Sequence, residues 1–596
     1  MRLPTSPARA TLLLLLGLLG SLLRAAEAAA SPAREVLNFA LLDQFGRVHE
    51  LRRTPGRAVV LFFTANGCPV ARQYASRLNA LRETYASRGV EVFMVNASSG
   101  DDRASIMREM RELRVPFLPV LKDDTQGLAR HLGAHRTGEA IAIGTQDWTI
   151  FYRGAIDDQT AEGAQKPAPT ARYLETALED FLAGRPITQA KTTARGCAIA
   201  LDGGEGPDSA PVSYARDVAP ILQKNCVSCH RPGNIGSWSM TSGHRKIKSM
   251  SSMIEEVLLT RRMPPWDADP AIGKFANSTA LSVSDAQTLL RWIHQGAPRG
   301  EGDDPLVQAS TPAAADWPLG PPDIILRLPQ PQEIPATGTL DYRHVKVSAN
   351  NAAAGWVGAY WVRPGNKKVL HHVIARVIGP GNKKVKGPSG ATEMFVAWAP
   401  GATQGAFPAH SGKPIPAHAR FDLELHYTTN GSPQTDQTEI GLYLLKEPPA
   451  LRYESIPIAN DTFEIAAGDP QAEAQATFAF RHDAVLHSVT PHLHLRGRSM
   501  KFDVLLPNGR RETICSVPRY DFNWQLTYQL AQPRKIPAGS WALVSGTWDN
   551  SKRNPANPDP NRTIHWGEQS WDEMFIGFYN VTWELEPTAR VAQGQE

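Results

Sequence analysis

Cys226-Val227-Ser228-Cys229-His230 places two thiols one helical turn apart, with an imidazole directly after the second. That spacing lets both sulfurs add across the vinyl groups of a haem while His230 offers a ring nitrogen to the iron, the attachment chemistry of a covalent haem c. A C-x-x-C from a zinc knuckle or a disulfide would require a second Cys or His pair at ligand spacing, and none lies close by. Met263, in Arg261-Arg262-Met263-Pro264-Pro265-Trp266, is the candidate for the opposite axial ligand, because a thioether favours reduced iron. Met240, Met250 and Met253 compete with it, and each is equally suited to filling core.

The C-terminal half holds eleven of the seventeen histidines, grouped in a way that suits metal binding. His371-His372 follows the apolar Val369-Leu370, His426 closes the alternating run from Phe421, and His492-Leu493-His494 sets two imidazoles two residues apart. On a strand i and i+2 share a face, so His492 and His494 form a chelate, whereas His371 and His372 point oppositely unless the strand ends or is irregular there. Imidazole serves copper, zinc, iron and nickel alike, and either pair alone fits core or surface histidines equally well. Near the other end, Cys68 stands between the apolar run Ala58–Phe63 and a helical run over 71–88, where a helix N-terminus stabilises a thiolate.

These residues need elements to hold them. Ala58–Phe63 and Val90–Val95 read as buried parallel strands flanking the helical run, a βαβ unit that makes residues 32–190 an α/β domain. Helical runs before Cys226, near 250–262, and from Ser282 to Gln295 with Gly296 as the stop predict a small all-α domain over 211–300. Beyond 320 the texture changes to short alternating runs broken by Pro, Gly and Asn, such as Phe502–Leu506 before Pro507-Asn508-Gly509. Two tandem all-β, jelly-roll-like sandwiches over 321–465 and 466–590 are expected, with linkers at 191–210 and 301–320.

A chain of 596 residues exceeds what one core supports, so a multidomain protein is expected. The net charge of +4 is small and the basic residues are scattered, which argues against nucleic-acid or membrane-surface partners. Arg2 and Arg9 ahead of the short apolar stretch to Leu23, with Ala26-Glu27-Ala28 after it, predict a signal peptide over 1–28. The mature chain would then have no membrane span and, in a bacterium, would reside in the periplasm. With Cys226 and Cys229 committed to haem, Cys68, Cys197 and Cys515 are too few for a disulfide scaffold.

Three segments resemble known families. Residues 211–300 resemble the cytochrome c domains of large secreted bacterial oxidoreductases. Residues 32–190 resemble the thioredoxin and redoxin superfamily: Phe63-Thr64-Ala65-Asn66-Gly67-Cys68-Pro69-Val70-Ala71 sits where its members carry the active-site loop, with Tyr152-Arg153-Gly154 on a late strand. Ala71 occupies the place of the second cysteine of a C-x-x-C pair, and Thr137-Gly138 the place of the family's cis-proline, so ordinary dithiol exchange is not expected. Cys197 either resolves a disulfide with Cys68 or bridges it statically, and the domain is either catalytic through Cys68 or structural.

The ordered set His-His, His-Tyr, His-x-His and a late Glu-Met resembles the copper type II, ascorbate-dependent monooxygenases, the family of peptidylglycine alpha-hydroxylating monooxygenase and dopamine beta-monooxygenase. The resemblance implies two copper ions, an electron-transferring one on His371, His372 and His426 and an oxygen-activating one on His492, His494 and Met574. Thr547-Trp548-Asp549-Asn550-Ser551 and Asn557-Pro558 strengthen the match to relatives that fuse this module to redoxin and cytochrome domains. The family's disulfides have no counterpart, since Cys515 is the one cysteine in this region. The implied function is an exported monooxygenase that hydroxylates an organic substrate with O2, fed by the haem or by an external electron donor. The alternatives are a copper-binding or electron-transfer protein without hydroxylase activity, and a thiol peroxidase or disulfide exchanger centred on Cys68.

Overall fold

The run Ala58–Thr64 is buried at every position, as a strand covered on both faces must be. In the computed structural model, which describes residues 35–161, 164–204, 210–308, 316–379, 385–402 and 404–585, it is the third of seven strands in one sheet. The strands are β1 (Ala40–Asp43), β2 (Val48–Glu50), β3 (Ala58–Thr64), β4 (Val90–Asn96), β5 (Val120–Lys122), β6 (Ala140–Gly144) and β7 (Ile150–Gly154), in the order β2-β1-β5-β4-β3-β6-β7. β3, β4 and β5 are parallel, while β6 returns antiparallel on β3. Helix α1 (Pro69–Ala86) follows β3, with Cys68 as N-cap and Pro69 at its first position. The signal peptide expected over 1–28 lies outside the described residues.

The stretch from 191, expected as a linker, is instead a strap laid along this domain. The Thr137 N–H donates to the Cys197 carbonyl and the Cys197 N–H to Thr137 Oγ1, both at 2.9 Å. Further along, the Ile199 N–H donates to His135 O and the Gln126 side chain to Ala200 O. Gly138, at φ +80°, permits the approach, because a Cβ there would lie 2.4 Å from Arg195 O.

Near residue 209 the chain passes into a second compact unit. Residues 210–300 carry the expected helices, among them α2 (Ala219–Asn225), α3 (Ser251–Leu259) and α4 (Val283–His294), packed around Tyr214, Leu222, Ile247, Leu289 and Trp292. Ser282 caps α4 by accepting the Asp285 N–H. No helix among the described residues is long and apolar enough to cross a membrane.

The all-β region is built on one long sheet. Its strands β8 (Ile324–Arg327), β10 (Gly355–Arg363), β13 (Ser411–Ile415), β15 (Glu439–Leu444), β16 (Leu451–Ala459), β18 (Ala484–His492), β21 (Tyr528–Ile536) and β23 (Ile576–Glu584) run in the order β8-β15-β10-β13-β16-β23-β18-β21. Two four-stranded sheets complete the sandwiches. One is ordered β9-β14-β11-β12, from β9 (Arg343–Ser348), β11 (Leu370–Ile378), β12 (Val396–Trp398) and β14 (Arg420–Tyr427). The other is β17-β22-β19-β20, from β17 (Ala472–Ala479), β19 (Gly497–Leu505), β20 (Arg511–Val517) and β22 (Trp541–Trp548). The expected division at 465/466 is moved by this arrangement, because β16 pairs along its whole length with β23. β13 in turn pairs in parallel with β16, so the two sandwiches are joined by backbone hydrogen bonds as well as by a loop.

The haem-motif region is likewise not a free-standing domain. Residues 266–277 clasp the C-terminal sandwich: Asp269 N–H donates to Ser516 O, Ala276 N–H to Gln529 O and Ala531 N–H to Lys274 O, each at 2.8 Å. Phe275 forms a β-bridge with Leu530 on the edge strand β21, and Trp266 packs edge-on against Tyr528. Asp267 pairs with Arg519 at 3.3 Å. The clasp covers a sheet edge that would otherwise present unpaired N–H and C=O groups.

Candidate functional site

The pairing of β11 with β14 slips between Leu370 and His372. This bulge breaks the alternation that would send His371 and His372 to opposite faces. His372 lies directly across from His426. The three rings are 4.8, 5.1 and 5.3 Å apart between centroids, and one nitrogen from each lies within 4.8 Å of the others. From the other sandwich β18 delivers His492, with His494 two residues on; these rings are 5.4 Å apart, and His492 is 6.4 Å from His372. The five histidines of the two ligand sets implied by the sequence therefore meet in one buried cluster.

Within the cluster, His371 Nε2, His372 Nε2, His426 Nδ1 and both ring nitrogens of His494 have no hydrogen-bond partner. Each unsatisfied buried atom costs roughly 1–3 kcal/mol, so the cluster is in deficit unless something binds it. Burial holds every imidazole below its ordinary pKa: His371 falls to about 4, His426 to about 2, and His372, His492 and His494 shift the same way. Neutral imidazole is the form that ligates a metal, so the residues present fit a metal ion. His492 Nδ1 is held at 2.8 Å by Gln525 Oε1, which leaves Nε2 for the cluster. Phe522 stacks on His371, and Tyr342 lies 4.5 Å from His426 with its buried hydroxyl unpartnered.

Beneath His494 sits Glu573, whose carboxylate accepts the N–H of His494 at 2.8 Å, the N–H of Arg496 at 2.6 Å and the indole N–H of Trp548 at 3.0 Å. Burial raises its pKa to about 8 against those three donors. Met574 is the next residue and is half-buried. A cavity of about 650 Å³ opens beside His372 and His492, within the 300–1,000 Å³ typical of small-molecule sites. Its wall is mostly apolar, with Ile374, Phe395, Trp398, Phe407 and Phe578 prominent.

In the haem motif, Cys226 is the C-cap of α2 and the His230 N–H donates to the Cys226 carbonyl at 2.9 Å, so the three ligand residues share one turn. His230 Nδ1 faces the Trp238 carbonyl at 3.2 Å, which leaves Nε2 as the nitrogen for iron. Gly236 allows that loop to close, since a Cβ there would lie 2.8 Å from His230 Nδ1. Cys226 and Cys229 are not bridged, and the residues present fit a covalent haem. Met263 is half-buried; of its competitors, Met240 belongs to the helical core, Met250 packs against it, and Met253 is exposed.

In the first unit, Cys68 is buried at the N-terminus of α1, where Sγ accepts the Ala71 N–H at 3.5 Å and lies 3.0 Å from Thr137 Oγ1. The strap brings Cys197 Sγ to 3.4 Å from it, and both thiols are free. Burial raises the Cys68 pKa, but the hydrogen bonds from Thr137, Ala71 and Cys197 outweigh it and the net shift is downward. Cys197, exposed and donating to Cys68, is shifted upward. Of the two thiols, Cys68 is the more acidic.

Residues 32–156 match the AhpC/TSA family. The chain thus contains a thioredoxin-like redoxin domain, joined to a large all-β region. The redoxin domain is 29% identical over 120 residues to chloroplastic peroxiredoxin Q of Triticum aestivum, covering 20% of this chain and 54% of that protein. The chain spans about half the length of this curated relative. Among solved structures, an uncharacterized conserved protein from Geobacillus kaustophilus is 25% identical, covers 30% of this chain and 96% of its own, and has a TM-score of 0.27. A putative thiol:disulfide interchange protein DsbE from Chlorobium tepidum is 20% identical, covers 26% and 98%, and has a TM-score of 0.20. Ala71 leaves the redoxin domain without a C-x-x-C pair, and the thiol beside Cys68 is Cys197 of the strap.

Several residues of these sites carried no sequence signal. Gln525 and Phe522 sit in an irregular loop, and Tyr342 ahead of a short strand. Thr137 and Glu573 had one, the first in the place of the redoxin family's cis-proline and the second as the residue preceding Met574.

Proposed function

We propose that the chain is an exported copper- and haem-dependent oxidoreductase that hydroxylates an organic substrate with O2. The observation carrying this reading is the set of five unpartnered nitrogens on four buried histidines, set against an apolar cavity. His371, His372 and His426 would hold one copper ion, and His492, His494 and Met574 the other. Copper bound there would activate O2 and deliver one electron per ion. The chain's own contribution is positioning: the bulge in β11 brings His371 beside His372, Gln525 fixes the His492 ring, and Glu573 fixes the backbone at His494. The apolar wall excludes water and holds the substrate near His372 and His492. Cys226, Cys229, His230 and Met263 would carry haem c, which passes on single electrons. Covalent attachment of that group agrees with export to the periplasm.

The test uses the full chain, produced with attached haem and reloaded with copper. About two copper ions per chain are expected, with O2 uptake that rises when an organic substrate is added. His372→Ala should lose copper and the substrate-dependent uptake together. Copper content unchanged in both His372→Ala and His494→Ala would overturn the reading.

The Cys68–Cys197 pair favours a second, thiol-based activity in the same chain. The Cys68 thiolate would attack a peroxide, forming a sulfenic acid and releasing an alcohol or water. Attack by Cys197 on that sulfur would then form the disulfide and expel water, so that two thiols are oxidised and one peroxide is reduced. One equivalent of hydrogen peroxide should yield a Cys68–Cys197 cross-linked peptide by mass spectrometry. Cys197→Ser should leave a dimedone-reactive Cys68 in its place. A Cys68 that stays reduced under these conditions would eliminate this activity.

A further inference from the structure

Lys413, on β13, is only 1% exposed, and no carboxylate lies within ion-pair distance of it among the described residues. Its ammonium donates to the Met394 carbonyl at 2.5 Å. It also lies 5.8, 5.8 and 5.4 Å from the ring centres of Phe395, Phe407 and Tyr453. The two nearby acids act on Lys413 only at longer range, and their hydrogen bonds go to other groups. Glu393 pairs with Arg452 at 2.8 Å, and Glu454 accepts from Ser389 and the Trp583 indole. Burying an ammonium costs several kcal/mol, and one carbonyl with an aromatic cage offsets only part of that. Lys413 lines the same cavity as His372 and His492, and among the described residues it is the one Lys, Arg, Asp or Glu in that lining.

We propose that Lys413 is the anion receptor of this cavity and binds the carboxylate of an amphipathic monocarboxylic acid whose apolar body lies along the aromatic wall towards His372 and His492. Among the described residues the lining holds no second Lys or Arg to compensate a dianion such as a phosphate monoester. The two N–H groups of Lys413 not used by Met394 supply the hydrogen bonds that a carboxylate needs. The acid's role as the hydroxylated substrate rests on the monooxygenase reading; its binding does not.

Binding is therefore measured on the copper-free full chain, by isothermal titration with 4-phenylbutyrate and with its neutral amide, 4-phenylbutyramide. The acid should bind at least tenfold more tightly than the amide at pH 7. Lys413→Met should erase that preference. A second measurement needs no variant. Burial lowers the Lys413 pKa to about 8, so the wild-type affinity for the acid should fall at least tenfold between pH 7 and 9.5, with the amide indifferent. The groups facing Lys413 are Glu393, Arg452, Tyr453 and Glu454; Tyr453 is shifted upward by burial, away from this window. Equal binding of acid and amide, no binding of the acid, or an acid affinity that ignores pH would each overturn the proposal. Acid binding without copper binding would retain this receptor and remove the monooxygenase.

Discussion

The copper-free chain is expected to lose stability steeply between pH 7 and pH 5. His371 and His426 are buried as neutral imidazoles, with folded pKa values of about 4 and about 2 against 6.5 for an exposed histidine. Because the folded values are depressed, the unfolded chain binds more protons across this window. Stability is then complete above pH 6.5 and falls as the pH drops towards the folded values. By pH 5 each histidine accounts for about 2 kcal/mol of the loss, roughly 4 kcal/mol for the pair. His372, His492 and His494 shift in the same direction and add to it. Urea midpoints of the copper-free and copper-loaded chain at pH 7, 6 and 5 would measure this. Copper, which holds imidazole unprotonated, should move the loss to lower pH. A copper-free midpoint that stays flat would contradict the buried, neutral cluster.

The second large effect is expected at Glu573. Glu573→Ala strips three buried N–H donors, from His494, Arg496 and Trp548, of their acceptor and opens a void where the side chain stood. Unsatisfied donors at roughly 1 kcal/mol or more apiece, with the cavity added, give about 3–5 kcal/mol of destabilisation. Glu573→Gln keeps one carbonyl acceptor but turns an amide N–H₂ towards a donor, so an intermediate loss is expected. Denaturant unfolding of the two variants beside the wild type measures both. A Glu573→Ala chain within about 1 kcal/mol of wild type would mean that the carboxylate is not holding the backbone at His494.

Both effects concern groups whose importance is set by burial, and burial explains what was legible in the sequence. The central strand β3 could be read because an unbroken apolar run, Ala58–Phe63, too short for a helix and rich in Val and Phe, fits a strand buried on both faces, and α1 followed from its position after that strand. His371 and His372 needed an irregular strand to act together, and no Gly or Pro marks the bulge that supplies it. Cys197 reached Cys68 through backbone bonds from Thr137, across a span of 129 residues that no local periodicity encodes. Lys413 lies in Ser411-Gly412-Lys413-Pro414-Ile415, which reads as a solvent-facing turn until the aromatic rings around it are known. The shared sheet was invisible for the same reason. The pairing of β16 with β23 joins segments more than a hundred residues apart.

The clasp formed by residues 266–277 removes a degree of freedom that tethered redox modules ordinarily keep. A carrier on a flexible leash must find its acceptor, so its rate depends on leash length, solvent viscosity and charge screening. Here the polypeptide leaving Met263 enters the clasp within three residues, at Trp266, and is stitched to β21 as far as Asn277. A haem held by Cys226 and Cys229, as proposed, would need no search step. The separation of such a haem from a metal at the histidine cluster would be set by the fold, and driving force, reorganisation energy and distance would govern how fast charge crosses it.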